Sequence, residues 1–200
     1  MDVSQMKEAL KNMFPEVLPN VENMDKAIDD IVKAILDEAS GNGAIKKARY
    51  GEQKISKSLY KKLREKTPSP EIMNMVNENI ELPMDDPALP GLKIELKEGQ
   101  KHALEADHIV PMKKIVCMEG FDQLSFDQQL EVLNYKKNFV GLSKTANTSK
   151  GSKSFKEWTM YVKGNIKVNP EFREKMIKKE EELEGELQEL IDKMLKEGSK

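Results

Sequence analysis

The chain has 200 residues, 38% hydrophobic and 34% charged, with one cysteine, two histidines and a formal net charge of −2. That length suits one medium domain with appendages and a modest core, while a lone Cys117 excludes an internal disulfide framework or a cysteine-built zinc ribbon. No apolar run approaches the ~18–20 residues of a membrane span, and Met1 precedes no basic-then-apolar signal, so the chain reads as soluble, with any export address lying outside it.

Residues 1–40 carry nine acidic against four basic side chains, and Met24, Ile28, Ile31 and Ile35 recur at the period of one helical face. Ser40-Gly41-Asn42-Gly43 supplies the stop and turn residues that would end that helix. Residues 45–66 reverse the charge, with nine bases against two acids. They predict a basic helix with Ile55, Leu59, Tyr60 and Leu63 on its apolar side. Thr67-Pro68-Ser69-Pro70 closes it. Ser69 as N-cap and Pro70 at the first position then open a short helix through Met73 and Val76.

Pro83, Pro87 and Pro90 interrupt regular structure between Leu82 and Gly91, which predicts a boundary there. Beyond it Leu92, Ile94 and Leu96 alternate with charged residues, the pattern of a short strand. Glu105-Ala106-Asp107-His108-Ile109-Val110-Pro111 predicts a strand entering a proline-ended turn, with adjacent Asp107 and His108 on opposite faces or splayed at its end. Phe139 and Val140 predict a second short strand within Asn138–Lys144. Thr145–Gly151 opens a helical turn containing Asn147. Residues 136–167 carry eight bases against Glu157 alone, and this block and that of 45–66 suit contact with a polyanion or are a pair of solvated helix faces. Finally, Phe172, Met176, Leu183, Leu187, Leu190 and Met194 mark the apolar stripe of a long charged helix over 170–197, fit for the chain's own core or a partner coiled coil.

Taken singly, the polar residues of 105–153 are ambiguous. His108 alone suits a core histidine bonded to Asp107, Asn138 a strand-end turn, and Asn147 a helix cap. Phe155 and Trp158 read as core anchors more readily than as base-stacking platforms.

Together, however, "EADHIVP", Asn138, and Asn147 nine residues later, followed by Ser149-Lys150-Gly151, resemble the HNH endonuclease motif. This is the ββα-metal unit of colicin-type DNases, many phage and restriction nucleases and the CRISPR effector HNH domains. The resemblance covers about fifty residues. It implies Asp107 and Asn147 as metal ligands, His108 as general base, and Asn138 as the central asparagine grouped with it in catalysis. His102 precedes the motif and cannot replace the helical ligand, so the pattern is H-N-N.

The chemistry is coherent. Phosphodiester hydrolysis needs a nucleophilic water, neutralised charge at phosphorus and a stabilised leaving oxygen. His108 is the residue type suited to take a proton near neutral pH. A carboxylate and an amide oxygen favour Mg²⁺, then Mn²⁺, over Zn²⁺. Asn138 is expected to bond across the loop and orient His108, Glu105 to be an extra ligand or neighbour, and Lys144, Lys150 and Lys153 to contact phosphates.

The expected architecture is helix-rich α+β: a helical region over 1–82 (a pre-toxin or nucleic-acid-contacting segment), a nuclease core over 83–168 with a two-stranded antiparallel sheet and helix, and a charged helix over 169–200. A weaker resemblance, carried by Leu89-Pro90-Gly91-Leu92-Lys93-Ile94 and the downstream motif, is to the C-terminal nuclease modules of large bacterial secreted toxins. It implies action in a bacterial cytoplasm after delivery and a dedicated immunity protein as partner, while the HNH resemblance implies DNA as substrate ahead of RNA. The alternatives are a free-standing phage, restriction or defence endonuclease, or a non-catalytic nucleic-acid-binding protein of ββα shape.

Overall fold

The computed structural model describes residues 47–198. The helix expected through Met24 and Ile35, and its Ser40-Gly41-Asn42-Gly43 stop, lie outside the described residues. Within them the fold is α+β, with six helices and three antiparallel sheets of two strands each.

Helix α1 (Lys57–Arg64) begins where Ser56 Oγ accepts the Leu59 N–H at 3.1 Å, and it buries Leu63 fully. Helix α2 (Pro70–Met75) starts as its sequence predicts: Ser69 Oγ accepts from the Ile72 N–H, and Pro70 occupies a position where the missing N–H costs nothing. Strands β1 (Met84–Asp85) and β2 (Lys93–Ile94) pair antiparallel. Between them buried Asp86 accepts the Ala88 and Leu89 N–H groups at 2.9 and 3.1 Å, tucking both side chains into the core.

The central sheet pairs β3 (Glu105–His108) with β4 (Phe139–Leu142), placing Asp107 opposite Val140 and His108 opposite Phe139. Gly141 is required at its position. A Cβ there would sit 2.8 Å from Leu104 Cδ1 and 3.1 Å from the Val76 carbonyl oxygen. The chain between β3 and β4 holds α3 (Met112–Ile115) and α4 (Phe126–Leu133), the latter opened by a capping box of Ser125 and Gln128. Helix α5 (Lys144–Lys150) follows β4, capped by Ser143. A hairpin of β5 (Met160–Tyr161) and β6 (Ile166–Lys167) leads to α6 (Pro170–Gly198).

Helix α6 turns Met176, Leu183, Leu187, Ile191 and Met194 inward, so its stripe is satisfied by the chain's own core. Phe155 and Trp158 are fully buried in that core, and Trp158 Nε1 donates to Ser149 Oγ at 3.0 Å. Ile55 and Leu63 belong to the same buried cluster as Leu133, Leu142 and Leu187. The proline-rich stretch at 83–90, which carries β1, therefore lies on a shared core, and the packing has no break at residue 82. The reason is that α1 is too short and too charged to bury Leu63 by itself. Among the described residues no helix is long and apolar enough to cross a membrane.

Candidate functional site

Strand β3 alternates its side chains, and that alternation builds the site. Glu105 and Asp107 share one face, Ala106 and His108 the other. Because His108 closes the strand, both it and Asp107 reach a cleft of about 700 Å³. Asn147 and Thr148 of α5 line the cleft, together with Tyr60, Arg64, Thr67 and Lys113.

The imidazole is held firmly. His108 Nε2 lies 2.9 Å from the Leu133 carbonyl oxygen, and a carbonyl can only accept. Nε2 therefore carries the proton and Nδ1 keeps its lone pair. Leu133 is the last residue of α4, whose terminal carbonyls lack helical partners and carry partial negative charge. Thr67 Oγ1 donates to the same carbonyl at 3.2 Å. Phe139 packs against the ring with centroids 4.4 Å apart. Burial pushes the His108 pKa down to about 4, opposed by the Leu133 hydrogen bond and assisted by the charges of Lys150 and Arg64. The ring is thus neutral near pH 7, with a proton-accepting nitrogen.

Asn138 is completely buried and reaches across the loop as expected, but its target differs. Its Oδ1 accepts the Val110 N–H at 2.8 Å and its Nδ2 donates to the Val110 carbonyl at 3.2 Å. The Asn138 carbonyl also accepts the Ile109 N–H at 2.9 Å. Asn138 therefore fixes the backbone just beyond His108, whereas the ring itself is oriented by Leu133. Asn138 does not line the cleft, and its side chain holds the backbone at Val110.

Asp107 is buried, and burial raises its carboxyl to about 6, against the lowering pull of Lys150. The Lys150 ammonium lies 2.8 Å from Asp107 Oδ2. It donates to the His108 carbonyl at 3.1 Å and sits 4.7 Å from the Phe155 ring centre. Oδ2 is thus held by the Lys150 ammonium, whose pull opposes the rise caused by burial. This corrects the expectation for Lys150: its side chain is 0% exposed and cannot be a surface phosphate contact. The sequence places it at the end of α5, where the inward face demands burial, and Asp107 and the His108 carbonyl satisfy its charge.

Asn147 Nδ2 donates to Glu105 Oε2, which leaves the amide oxygen Oδ1 as the hard donor of that side chain. Glu105 itself lines a separate shallow groove with His102, Ala103, Ser143 and Lys144. It steadies Asn147 from behind. Lys144 and Lys153 also lie away from the cleft, in a groove with Met160, Tyr161, Val162 and Lys163. The basic side chains that do reach the cleft, Arg64 and Lys113, come from α1 and α3, outside the motif. Their signal was the nine-base block over 45–66 and the Lys113-Lys114 pair after the proline turn.

The donor set suits one hard divalent cation. Asp107 and Asn147 both line the cleft, one offering a carboxylate and the other an amide oxygen, although Lys150 already contacts Asp107 Oδ2. Two protein oxygens with waters and a phosphate completing the shell is the usual pattern for Mg²⁺. In comparison with known proteins, no family model, no curated protein and no solved structure matches the chain.

Proposed function

We propose that the protein is a metal-dependent endonuclease of the ββα-metal, or HNH, type. The observation that supports this most directly is the single cleft shared by His108, Asp107 and Asn147, with His108 held by the Leu133 carbonyl in the tautomer that frees Nδ1. A phosphodiester entering the cleft would present its phosphorus to a water beside Nδ1. The water oxygen bonds to phosphorus as the bridging P–O bond breaks. Nδ1 takes the water's proton, and the departing oxygen is protonated by solvent. A divalent cation held by Asp107 and Asn147 would neutralise the developing negative charge on the phosphate and leaving oxygen. Glu105 holds the Asn147 amide, and Asn138 holds the loop after His108. The anionic substrate also favours the imidazolium formed in the step, offsetting the burial that disfavours it.

DNA is the proposed substrate, and the proposed biological role is the toxic module of a bacterial secreted toxin. It would act in a recipient cytoplasm and be restrained by an immunity protein. A second reading, nucleic-acid binding without hydrolysis, is favoured by the Lys150–Asp107 pair, because an ammonium already neutralises the proposed ligand.

Supercoiled plasmid incubated with the chain in Mg²⁺, Mn²⁺, Zn²⁺ or EDTA, beside H108A, separates these readings. The catalytic one requires metal-dependent nicking that H108A abolishes. Intact plasmid and intact RNA with every metal would leave only the binding reading. Equal cutting by both proteins would reject His108 as the base. For the toxin role, induced expression in bacteria must be harmful for the parent and harmless for H108A.

A further inference from the structure

We propose that Arg64, Lys113 and Lys57 form the cationic track that carries the nucleic-acid backbone through the cleft, in place of the lysines of the motif helix. This rests on the phosphodiesterase reading of the same cleft and names where its substrate runs. The three side chains belong to two elements outside the motif. Lys57, Tyr60 and Arg64 are spaced three and four apart on α1, so they form one stripe along a single helical face. Arg64 and Tyr60 line the cleft with His108, and Lys113 of α3 lines it too. A second depression of about 300 Å³, lined by Gln53, Lys57, Tyr60 and Lys113, shares Tyr60 and Lys113 with the first. The two hollows thus adjoin in one groove leading from the catalytic residues toward Lys57.

Charge supports the assignment. Helix α1 reads Lys-Ser-Leu-Tyr-Lys-Lys-Leu-Arg and contains no acid. Among the described residues, Lys57, Arg64 and Lys113 make no ion pair, whereas Lys54, Lys93, Lys114, Lys136 and Lys137 each have a carboxylate partner. A line of cations without ion-pair partners beside a hydrolytic cleft is the arrangement that releases counterions from a phosphate backbone. From Lys57 to Arg64 the helix rises roughly 10 Å, about three nucleotides of axial rise along one strand. The fork of Arg64, which lines the cleft with His108, suits bidentate contact with a phosphate, and Lys113 and Lys57 suit point contacts.

The alternative course is the groove on the other side of α5, with Lys144, Lys153 and Lys163. The test is binding of a fluorescent 20-base-pair duplex by H108A in EDTA, titrated with salt, so that no cleavage intervenes. R64Q, K113Q and K57Q in that background are each expected to lower the slope of log affinity against log salt by about 1. R64K should retain the slope yet bind more weakly, and K153Q and K163Q should match the parent. Thermal melting confirms that each variant folds, and R64K keeps the test valid should R64Q not fold. Unchanged slopes for the three glutamine variants, or losses confined to K153Q and K163Q, overturn the track. Plasmid cutting by the parent is scored separately. Cutting with unchanged slopes removes the track and leaves the nuclease, while lowered slopes without cutting keep the track and remove the nuclease. No duplex binding by any protein overturns the track.

Discussion

Lys150 and Asp107 meet inside the protein at 2.8 Å, the lysine side chain wholly buried and the aspartate side chain 9% exposed. The pair binds the end of α5 to the end of β3, the two elements that carry the proposed metal ligands and base. The ammonium also caps the His108 carbonyl and lies over Phe155, so one side chain connects the sheet, the motif helix and the aromatic core.

Replacing Lys150 by methionine keeps the volume and removes the charge. Asp107 is then buried without compensation, and breaking one side of such a pair costs about 3–5 kcal/mol. K150M should therefore melt well below the parent. A cation bound at Asp107 supplies the missing charge, so Mg²⁺ or Mn²⁺ should raise the melting temperature of K150M more than that of the parent. Differential scanning fluorimetry with and without metal checks this. Equal metal-induced shifts in the two proteins would mean that no cation reaches Asp107.

Asn138 satisfies both polar groups of the Val110 backbone in a fully buried setting. N138A leaves a donor and an acceptor orphaned, at about 1–3 kcal/mol each. N138D keeps an acceptor for the Val110 N–H but sets a carboxylate against the Val110 carbonyl. Its carboxyl pKa must rise, so N138D should gain stability as pH falls and the protonated acid donates to that carbonyl. N138A should show no such gain. Denaturant melts at pH 7 and pH 5 distinguish the two. Because Leu133 and not Asn138 orients the imidazole, Nδ1 should remain available in any N138A molecules that stay folded.

Much of this arrangement was legible in the sequence where local rules act alone. Ser69-Pro70 names a helix start whatever surrounds it, and the structure begins α2 there. The apolar stripe of 170–197 specifies a helix by its period, and α6 follows it. Strand β3 was legible from the Glu105–Pro111 run entering its proline turn, β4 from Phe139 and Val140, and Asn147 from its distance to Asn138. What was not legible depends on contacts distant in sequence. Nothing local tells that Lys150 points inward, because lysine at a helix end is ordinarily solvated. Its burial follows from Asp107, 43 positions earlier in the chain. Likewise the Leu133 carbonyl that holds His108 is a backbone atom whose role has no residue signature. Arg64 reaches the cleft only because Leu63, its neighbour, is drawn into the common core. The prolines at 83–90 resembled a domain boundary since proline breaks regular structure wherever it falls, inside a domain or between two.

The buried His108 and Asp107 should make stability respond to pH in opposite senses. His108 is pushed from 6.5 down to about 4, so the unfolded chain binds the extra proton between those values. Its contribution is complete above about 6.5 and is lost as pH falls toward 4. Asp107 is raised from 3.8 to about 6, so here the folded chain holds the extra proton, and stability increases as pH falls from about 6 toward 3.8. The two trends largely cancel between pH 4 and 6. Removing one exposes the other: H108Q should become more stable on acidification across this window, and D107N less stable. Urea midpoints at pH 4.5 and pH 6.5 check both, and the same sign in the two variants would refute the assignment.

Activity should not show that cancellation, because the proposed reaction needs the base neutral and the ligand ionised together. Above pH 4 His108 is already neutral, so it does not limit the rate on the acid side. Asp107 does, since below about 6 its carboxyl is increasingly protonated and no longer a good oxygen donor to a cation. Cleavage should fall about tenfold per pH unit below 6, a single-proton limb. Metal and proton then compete for one carboxylate, so raising Mg²⁺ should move the limb to lower pH while leaving the plateau unchanged. Protonation of a general base would produce no such movement once substrate is saturating. Initial cleavage rates from pH 4.5 to 8, at low and high Mg²⁺, decide the point. A metal-dependent midpoint identifies Asp107 as the ligand, whereas a midpoint fixed at every Mg²⁺ concentration assigns the limb to His108 and removes Asp107 from the metal's shell.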